Sequence, residues 1–96
     1  MSPKENSQEI TRQFEIKNTL GLHARAAAAF VKIANRFQAE IMVKKSNLTV
    51  DGKRIMGVLM LAAAKGSKIE VLSKGADAQD ALAAIEKLID NKFGEE

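Results

Sequence analysis

The alternation of apolar and polar positions predicts four short β-strands in this chain. In the first of them, Phe14 and Ile16 share one face and polar residues lie between and around them, which is strand periodicity. The predicted strands cover residues 11–17, 40–45, 48–50 and 68–73, with turn signals at Ser46-Asn47 and Asp51-Gly52. Because each strand has a single apolar face, we expect an antiparallel sheet with helices covering one side.

A period of 3.6 residues predicts three helices between and after these strands. The first covers residues 24–37, and the second is a short apolar segment over residues 54–61. Asp77 is the expected cap of the last helix, and Asp80 adds negative charge to its first turn. The apolar stripe of that helix comprises Ala81, Leu82, Ile85, Leu88 and Ile89. The order β-α-β-β-α-β-α predicts an α+β fold, an open-faced β-sandwich whose four-stranded antiparallel sheet is covered on one face by three helices.

The length and composition are those of one globular domain. The 96 residues suit a single unit over residues 11–96, preceded by a flexible N-terminal tail over residues 1–10. No apolar run approaches the roughly 18 residues of a membrane span, and no secretory signal is present, so we expect a cytoplasmic protein without direct membrane insertion. The absence of cysteine excludes disulfides, thiolate metal sites and a cysteine nucleophile.

The net charge of +3 permits binding to nucleic acid without indicating it. The chain has no long run of lysine or arginine, and its four phenylalanines offer little aromatic surface for stacking bases. The element order is nevertheless also that of a ferredoxin-like nucleic-acid-binding or ligand-binding domain, which stays open as an alternative.

The single histidine, His23, lies where a loop containing Gly21 meets the start of the first helix. The first N–H groups of a helix lack internal partners and form an anion site, and Arg25 adds a guanidinium suited to phosphate oxygens. The positive helix end disfavours the imidazolium form, so we expect a neutral, nucleophilic ring. These residues point to phosphoryl acceptance without a metal or cofactor. Taken alone, these two residues are better explained as a helix-capping histidine and a solvated arginine.

Three motifs in order resemble those of the HPr family, the histidine-containing phosphocarriers of the bacterial phosphotransferase system. The first is Gly-Leu-His-Ala-Arg-Ala-Ala at residues 21–27, which resembles the active-site signature of that family. Residues 54–61, followed by Ala-Lys-Gly at 64–66, resemble its second signature, and residues 73–82 resemble the approach to its last helix. The resemblance covers about residues 11–93, which is nearly the whole domain.

The resemblance implies a phosphoryl carrier, a monomer and not a stand-alone enzyme. His23 would accept a phosphoryl group on Nδ1 from enzyme I, which is charged by phosphoenolpyruvate, and pass it to an enzyme IIA domain for sugar uptake or a regulatory relay. Arg25 would compensate charge during both transfers. The implied partner surface comprises Ala28, Lys32, Ile55, Met56 and Leu59. Ile55 and Leu59 could instead be core residues and Lys32 a solvated charge, and we expect Val58 and Leu61 in the core.

Two positions depart from the family pattern. Ala26 replaces a usual proline, and because alanine is the best helix former the helix start should survive. Arg54 stands where many relatives carry a regulatory serine, so we expect no control by serine phosphorylation at this position. A binding or regulatory module that keeps the HPr surface without relaying phosphate is a further alternative, although His23 is present.

Overall fold

The computed structural model describes residues 8–95 and has an α+β architecture, as the sequence predicts. The elements are β1 (Gln8–Glu15), α1 (Ala24–Ala34), β2 (Glu40–Lys45), β3 (Leu48–Asp51), α2 (Ile55–Met60), β4 (Lys68–Gly75) and α3 (Ala78–Asp90), followed by a short 3-10 turn (Lys92–Gly94). The four strands form one antiparallel sheet in the order β1-β4-β2-β3. The predicted open-faced β-sandwich is therefore confirmed.

The core lies between one face of the sheet and the helices, because the strands alternate and the helices present one apolar stripe each. Val43 of β2 pairs with Val71 of β4, and both side chains are completely buried. The helices contribute Ala27, Phe30 and Ala34 from α1, Val58 from α2, and Leu82, Ile85 and Ile89 from α3. Burial of this apolar surface is the main term that stabilises a domain of this size.

Strand β1 begins at Gln8, earlier than the predicted start at residue 11. Its register with β4 pairs Gln8 with Gly75 and Glu9 with Lys74, so the backbone of both residues belongs to the sheet. The alternation of side chains could not show this, because backbone hydrogen bonds form along an antiparallel pair whatever the side chains are. The part of the predicted tail over residues 1–7 lies outside the described residues.

Helix α1 ends at Ala34, short of the predicted end at Phe37. The N–H groups of Arg36 and Phe37 donate to the carbonyls of Ile33 and Ala34, three residues back, at 3.0 and 3.3 Å. The chain thus tightens into a turn of the kind common after helices. Phe37 still packs against the core, which explains why its position fitted the helical stripe.

Asp77 occupies the predicted cap position of α3, but its carboxylate does not cap that helix. The two oxygens instead accept hydrogen bonds from the backbone N–H groups of Gln38 and Ala39, at 2.9 and 2.8 Å. These bonds tie the turn after α1 to the start of α3. The hydrogen bond from Gln38 is the largest cause that holds the pKa of Asp77 below its ordinary value.

We expect Asp77→Asn to lower the free energy of unfolding at neutral pH. We also expect that free energy to fall less steeply in acid than it does in the wild type. Because the folded-state pKa of Asp77 is lowered, its carboxylate contributes stability that is present above the unfolded-state pKa, near 3.8, and lost as the pH falls through the folded value. Urea midpoints measured from neutral pH to well below pH 3.8 check this. Asp80→Asn, which removes the same charge from the first turn of α3, is the matched control. Equal acid dependence in both variants would contradict the assignment.

Candidate functional site

The loop before α1 is held rigidly by Asn18, which is completely buried. Its Nδ2 donates to the carbonyl of Gly21 at 2.8 Å, and the Gly21 N–H donates back to the Asn18 carbonyl at 3.1 Å. Leu22 extends the anchoring, because its N–H donates to the carbonyl of Ala63 at 2.9 Å. The loop is thereby fixed against the segment that follows α2, and the next residue, His23, receives a defined position.

His23 is the N-cap of α1, as the sequence predicts. Its backbone is extended, with φ −79° and ψ −176°, and its carbonyl accepts the first helical hydrogen bond from the Ala27 N–H at 2.8 Å. The Nδ1 atom accepts a hydrogen bond from the Arg25 N–H at 3.3 Å. An acceptor nitrogen carries a lone pair and no proton, so this contact makes Nδ1 the unprotonated nitrogen of the ring.

The other ring nitrogen, Nε2, is hydrogen-bonded to the Oε2 atom of Glu95. The second carboxylate oxygen of Glu95 accepts from Asn18 Nδ2 at 2.8 Å. A carboxylate only accepts, so Nε2 donates and carries the proton of the ring. The side chain of His23 is 30% exposed and that of Glu95 only 10% exposed. The site therefore presents Nδ1 as its basic atom and has a nearly buried carboxylate behind the ring.

Glu95 reaches this place because the chain reverses after α3. Lys92 and Phe93 both adopt positive φ, 55° and 56°, and the Glu95 N–H donates to the Lys92 carbonyl at 3.0 Å. Phe93 is buried and anchors the reversal to the core. Sequence reasoning missed both Asn18 and Glu95. The only signal in the sequence was Phe93-Gly94, an apolar residue and a glycine shortly after the last predicted helix. Such a pair indicates a turn, but it does not show which part of the chain the turn approaches.

Arg25 lies in the first turn of α1 with an exposed side chain, and that turn contains no acidic residue. A cationic residue and the positive end of the helix dipole thus share the first turn of α1, with no carboxylate in that turn to neutralise them. The arrangement provides a nucleophilic nitrogen, backbone N–H donors and a guanidinium within three consecutive residues. It is suited to holding an anion bonded to Nδ1.

The implied partner residues divide by exposure. Ile55 and Met56 at the start of α2 are exposed, and Ala28 and Lys32 are exposed farther along α1. Leu59 is half-buried and packs against the core, so it offers less surface than the sequence suggested. Val58 and Leu61 are buried, which confirms their predicted place in the core.

Two exposed apolar residues were not anticipated. Leu20, in the loop before His23, is 69% exposed, and Met60, at the end of α2, is 63% exposed, similar to Met56 at 67%. Helices α1 and α2 pack against each other, and the Leu22–Ala63 hydrogen bond joins the loop to the segment that follows α2. The exposed apolar residues of the loop and of α2 therefore belong to connected segments. We call Leu20, Ile55, Met56 and Met60 the apolar rim.

Within residues 8–95, no group of three or more histidine, cysteine or acidic side chains is placed to bind a metal ion. No helix in that range is long and apolar enough to span a membrane. The ring of His23 is instead bounded by a backbone N–H on one side and a single carboxylate on the other.

Comparison with known proteins decides one of the alternatives that the sequence left open, the one from a different family. The family model described as "PTS HPr component phosphorylation site" matches residues 10–91. This range includes His23, strands β2 to β4 and all of β1 except its first two residues. The chain belongs to the HPr family. A ferredoxin-like nucleic-acid-binding or ligand-binding domain would belong to a different family, so the match excludes that alternative.

Relatives across this family are similar over nearly their whole length. The phosphocarrier protein HPr of Neisseria meningitidis serogroup A is 48% identical over 86 residues, which cover 90% of this chain and 97% of that protein. The phosphocarrier protein NPr of Shewanella violacea is 42% identical, covering 91% of this chain and 96% of that protein. Both are named phosphocarriers, so this chain belongs to a family of phosphocarriers and not of stand-alone enzymes.

Solved structures of HPr from Thermoanaerobacter tengcongensis share the fold. HPr-C-His from that organism has a TM-score of 0.84 at 44% identity, covering 93% of this chain and 98% of that one. A structure described as an HPr dimer has a TM-score of 0.73 at 44% identity, covering 85% and 94% of the two chains. The predicted monomeric state of this chain stays a prediction.

The two departures from the family pattern have clear places in the structure. Ala26 is buried in the first turn of α1, and the helix starts at Ala24 without the usual proline. Arg54 is the N-cap of α2 and makes no side-chain capping bond. Its exposed guanidinium lies 3.6 Å from the carboxylate of Asp51. An exposed ion pair of this kind contributes little to stability, so Arg54 is compatible with the fold without being needed for it.

Proposed function

We propose that this HPr-family protein carries a phosphoryl group on Nδ1 of His23. The donor is the phosphohistidine of enzyme I, charged by phosphoenolpyruvate, and the acceptor is a histidine of an enzyme IIA domain. The observation that supports this best is the division of roles on the ring. Nε2 is occupied by the Glu95 carboxylate, whereas Nδ1 keeps its lone pair at the start of α1.

Transfer is a displacement at phosphorus between two imidazoles. The Nδ1 lone pair forms the new P–N bond as the donor's P–N bond breaks, and its electron pair returns to the donor ring. Little covalent chemistry is required of the protein, so positioning and electrostatic stabilisation determine the rate. The N-cap geometry supplies the positioning, because the ring is attached to the rigid loop held by Asn18 and Leu22.

Arg25 contributes twice in this scheme. Its backbone N–H donates to Nδ1 before transfer and becomes available to a phosphoryl oxygen once Nδ1 is bonded to phosphorus. Its exposed guanidinium adds charge-assisted hydrogen bonds to the same oxygens. Both contacts act on the negative charge that is spread over the phosphoryl oxygens during transfer, which is where preorganised donors are most effective.

Both partners must use the surface around His23, since each brings its own histidine to the same atom. The apolar rim, together with Ala28, Lys32 and the exposed part of Leu59, forms the proposed docking surface. Its flexible methionines suit a surface that serves more than one partner. A small interface of this kind favours rapid release, which a carrier needs.

The proposal extends to the setting of the protein. We place it in the cytoplasm, where enzyme I and soluble enzyme IIA domains act, and we expect a monomer. It serves either sugar uptake or a regulatory phosphorelay. Because Arg54 occupies the position of the regulatory serine, no kinase can place a phosphoserine there, and control by that route is absent from this scheme.

Incubation with phosphoenolpyruvate, magnesium and enzyme I of the same source tests the proposal. We expect intact mass to rise by one phosphoryl group, acid treatment to remove it, and phosphorus NMR to show a phosphorus bonded to Nδ1. Omission of enzyme I is the control and should leave the mass unchanged. No phosphorylation, with an enzyme I that is competent toward another HPr, would support the alternative of a binding module that keeps this surface without the relay.

A further inference from the structure

The carboxylate of Glu95 is nine-tenths buried and in contact with the reacting ring. Removing a carboxylate from water is costly unless it gains hydrogen bonds or an opposite charge. Asn18 supplies one neutral hydrogen bond, from an amide that is itself completely buried. The second oxygen contacts Nε2 of His23. The burial of Glu95 therefore becomes more favourable whenever the ring carries positive charge.

We propose that Glu95 is a positioning residue that stabilises the positive charge arising on the His23 ring during phosphoryl transfer. This inference rests on the proposed function and specifies how that site is controlled. Before transfer, the ring is neutral and its proton is on Nε2. When the Nδ1 lone pair bonds to phosphorus, and the donor ring recovers the electron pair of its own P–N bond, the His23 ring gains one positive charge. That charge is shared with the Nε2–H group, which donates to Glu95.

The proton stays on Nε2 in both directions of the relay. In the onward step, the electron pair of the P–N bond returns to Nδ1, and a ring that keeps its Nε2 proton leaves as neutral imidazole instead of as an anion. A hydrogen bond between charged groups is roughly twice as strong as a neutral one, and low exposure strengthens it further. Glu95 thus stabilises the loaded ring, and by keeping the proton on Nε2 it allows the ring to leave as neutral imidazole, in the way that a buried carboxylate orients a catalytic imidazole.

The C-terminal turn has other anchors that could hold its shape without the carboxylate. Phe93 is buried in the core, and the turn is closed by the Gly94 N–H to Asn91 carbonyl bond at 2.9 Å and the Glu95 N–H to Lys92 carbonyl bond at 3.0 Å. Removing the charge of Glu95 should therefore leave the turn in place. The role of the carboxylate can then be measured separately from the shape of the turn.

Glu95→Gln, Glu95→Ala and Asp90→Asn form the test set. Glu95→Gln keeps one oxygen that accepts from Nε2–H, but it loses the charge and the acceptor for Asn18 Nδ2, whereas Glu95→Ala loses the charge and both acceptors. Asp90→Asn is the matched control, since it removes a carboxylate near the end of α3 that contacts Lys17 and not His23. Ring nitrogen-15 shifts report which nitrogen carries the proton, and single-turnover transfer from phosphorylated enzyme I reports the rate. Amide spectra and melting temperatures report the fold.

We expect Glu95→Gln to keep the proton on Nε2 and to transfer about ten-fold more slowly, as loss of a hydrogen bond between charged groups implies. Glu95→Ala should show the same slowing or more, together with a shift of the ring proton toward a mixture of both nitrogens. Asp90→Asn should match the wild type in rate and in ring shifts.

If the wild type is phosphorylated and both Glu95→Gln and Glu95→Ala accept the phosphoryl group at the wild-type rate, the role of Glu95 is overturned. The proposed function then still stands. A wild type that accepts no phosphoryl group from a competent enzyme I would overturn the proposed function and this inference with it. If Glu95→Gln unfolds, the transfer rate of Glu95→Ala and the ring nitrogen-15 shifts of the wild type test the role of Glu95 instead. A wild-type ring with its proton on Nδ1 would contradict the inference directly.

Discussion

Replacing His23 with asparagine should abolish phosphorylation by phosphoenolpyruvate and enzyme I while leaving the domain folded. Asparagine is among the best N-cap residues, and its side-chain oxygen can accept the Arg25 N–H that Nδ1 accepts at 3.3 Å. It has no nucleophilic ring nitrogen, so no P–N bond can form. Intact mass after the enzyme I reaction should therefore show no added phosphoryl group, against one in the wild type.

His23→Ala is the companion variant, because it removes the nucleophile and the cap together. We expect it to be equally unphosphorylated and to be less stable than His23→Asn by about 1 kcal/mol, the usual contribution of a capping side chain. Urea unfolding compares the two. A phosphoryl group that persists in either variant would place the acceptor on another residue, and equal stability would show that His23 does not act as a cap.

The sheet and helices could be predicted because their side-chain periods depend on local sequence alone. Phe14 and Ile16 alternate with polar residues, and Ala27, Phe30 and Ala34 recur with a helical period, so both faces were identified correctly. The start of β1 at Gln8 could not be predicted, since it depends on the length of β4, a partner far along the chain.

The site could be predicted only in part, because its residues differ in how far apart in sequence their contacts are. His23 and Arg25 are neighbours in sequence, so their shared place at a helix start follows from local rules. Glu95 meets His23 across 72 residues, and that contact requires the reversal at Lys92 and Phe93. Positive φ at two consecutive non-glycine residues is rare and depends on tertiary packing, here the burial of Phe93. No periodicity encodes such a contact.

Gly21 is the residue of the site whose backbone leaves least room for change. Its φ is +69°, a conformation that residues with a Cβ adopt at a cost. A Cβ at this position would lie 2.5 Å from the Ala63 carbonyl oxygen and 2.9 Å from the Ala64 Cα. Both neighbours are backbone atoms, which cannot rotate away as a flexible side chain could. The loop or the segment after α2 must therefore move if Gly21 is replaced.

We expect Gly21→Ala to destabilise the domain by about 2–5 kcal/mol, the sum of the left-handed backbone cost and the overpacking. Gly66→Ala is the matched control, because Gly66 has φ +88° but a Cβ added to it would meet no atom within 4 Å. It should lose only about 1–2 kcal/mol from the backbone term. Urea midpoints of both variants measure the difference, and equal losses would show that the contact with Ala63 is relieved without cost.

Gly21→Ala should also slow phosphoryl transfer in the fraction that remains folded, whereas Gly66→Ala should not. The Ala63 carbonyl that the added Cβ would meet also accepts the Leu22 N–H, at 2.9 Å. Because Leu22 directly precedes His23, moving the loop displaces the N-cap and with it the ring. Effective transfer depends on reacting atoms held in a near-attack geometry, and a displacement of about 1 Å can lower the rate about a hundred-fold. Single-turnover transfer to folded protein measures this. A normal rate in Gly21→Ala would mean that the contact with Glu95 holds the ring independently of the loop.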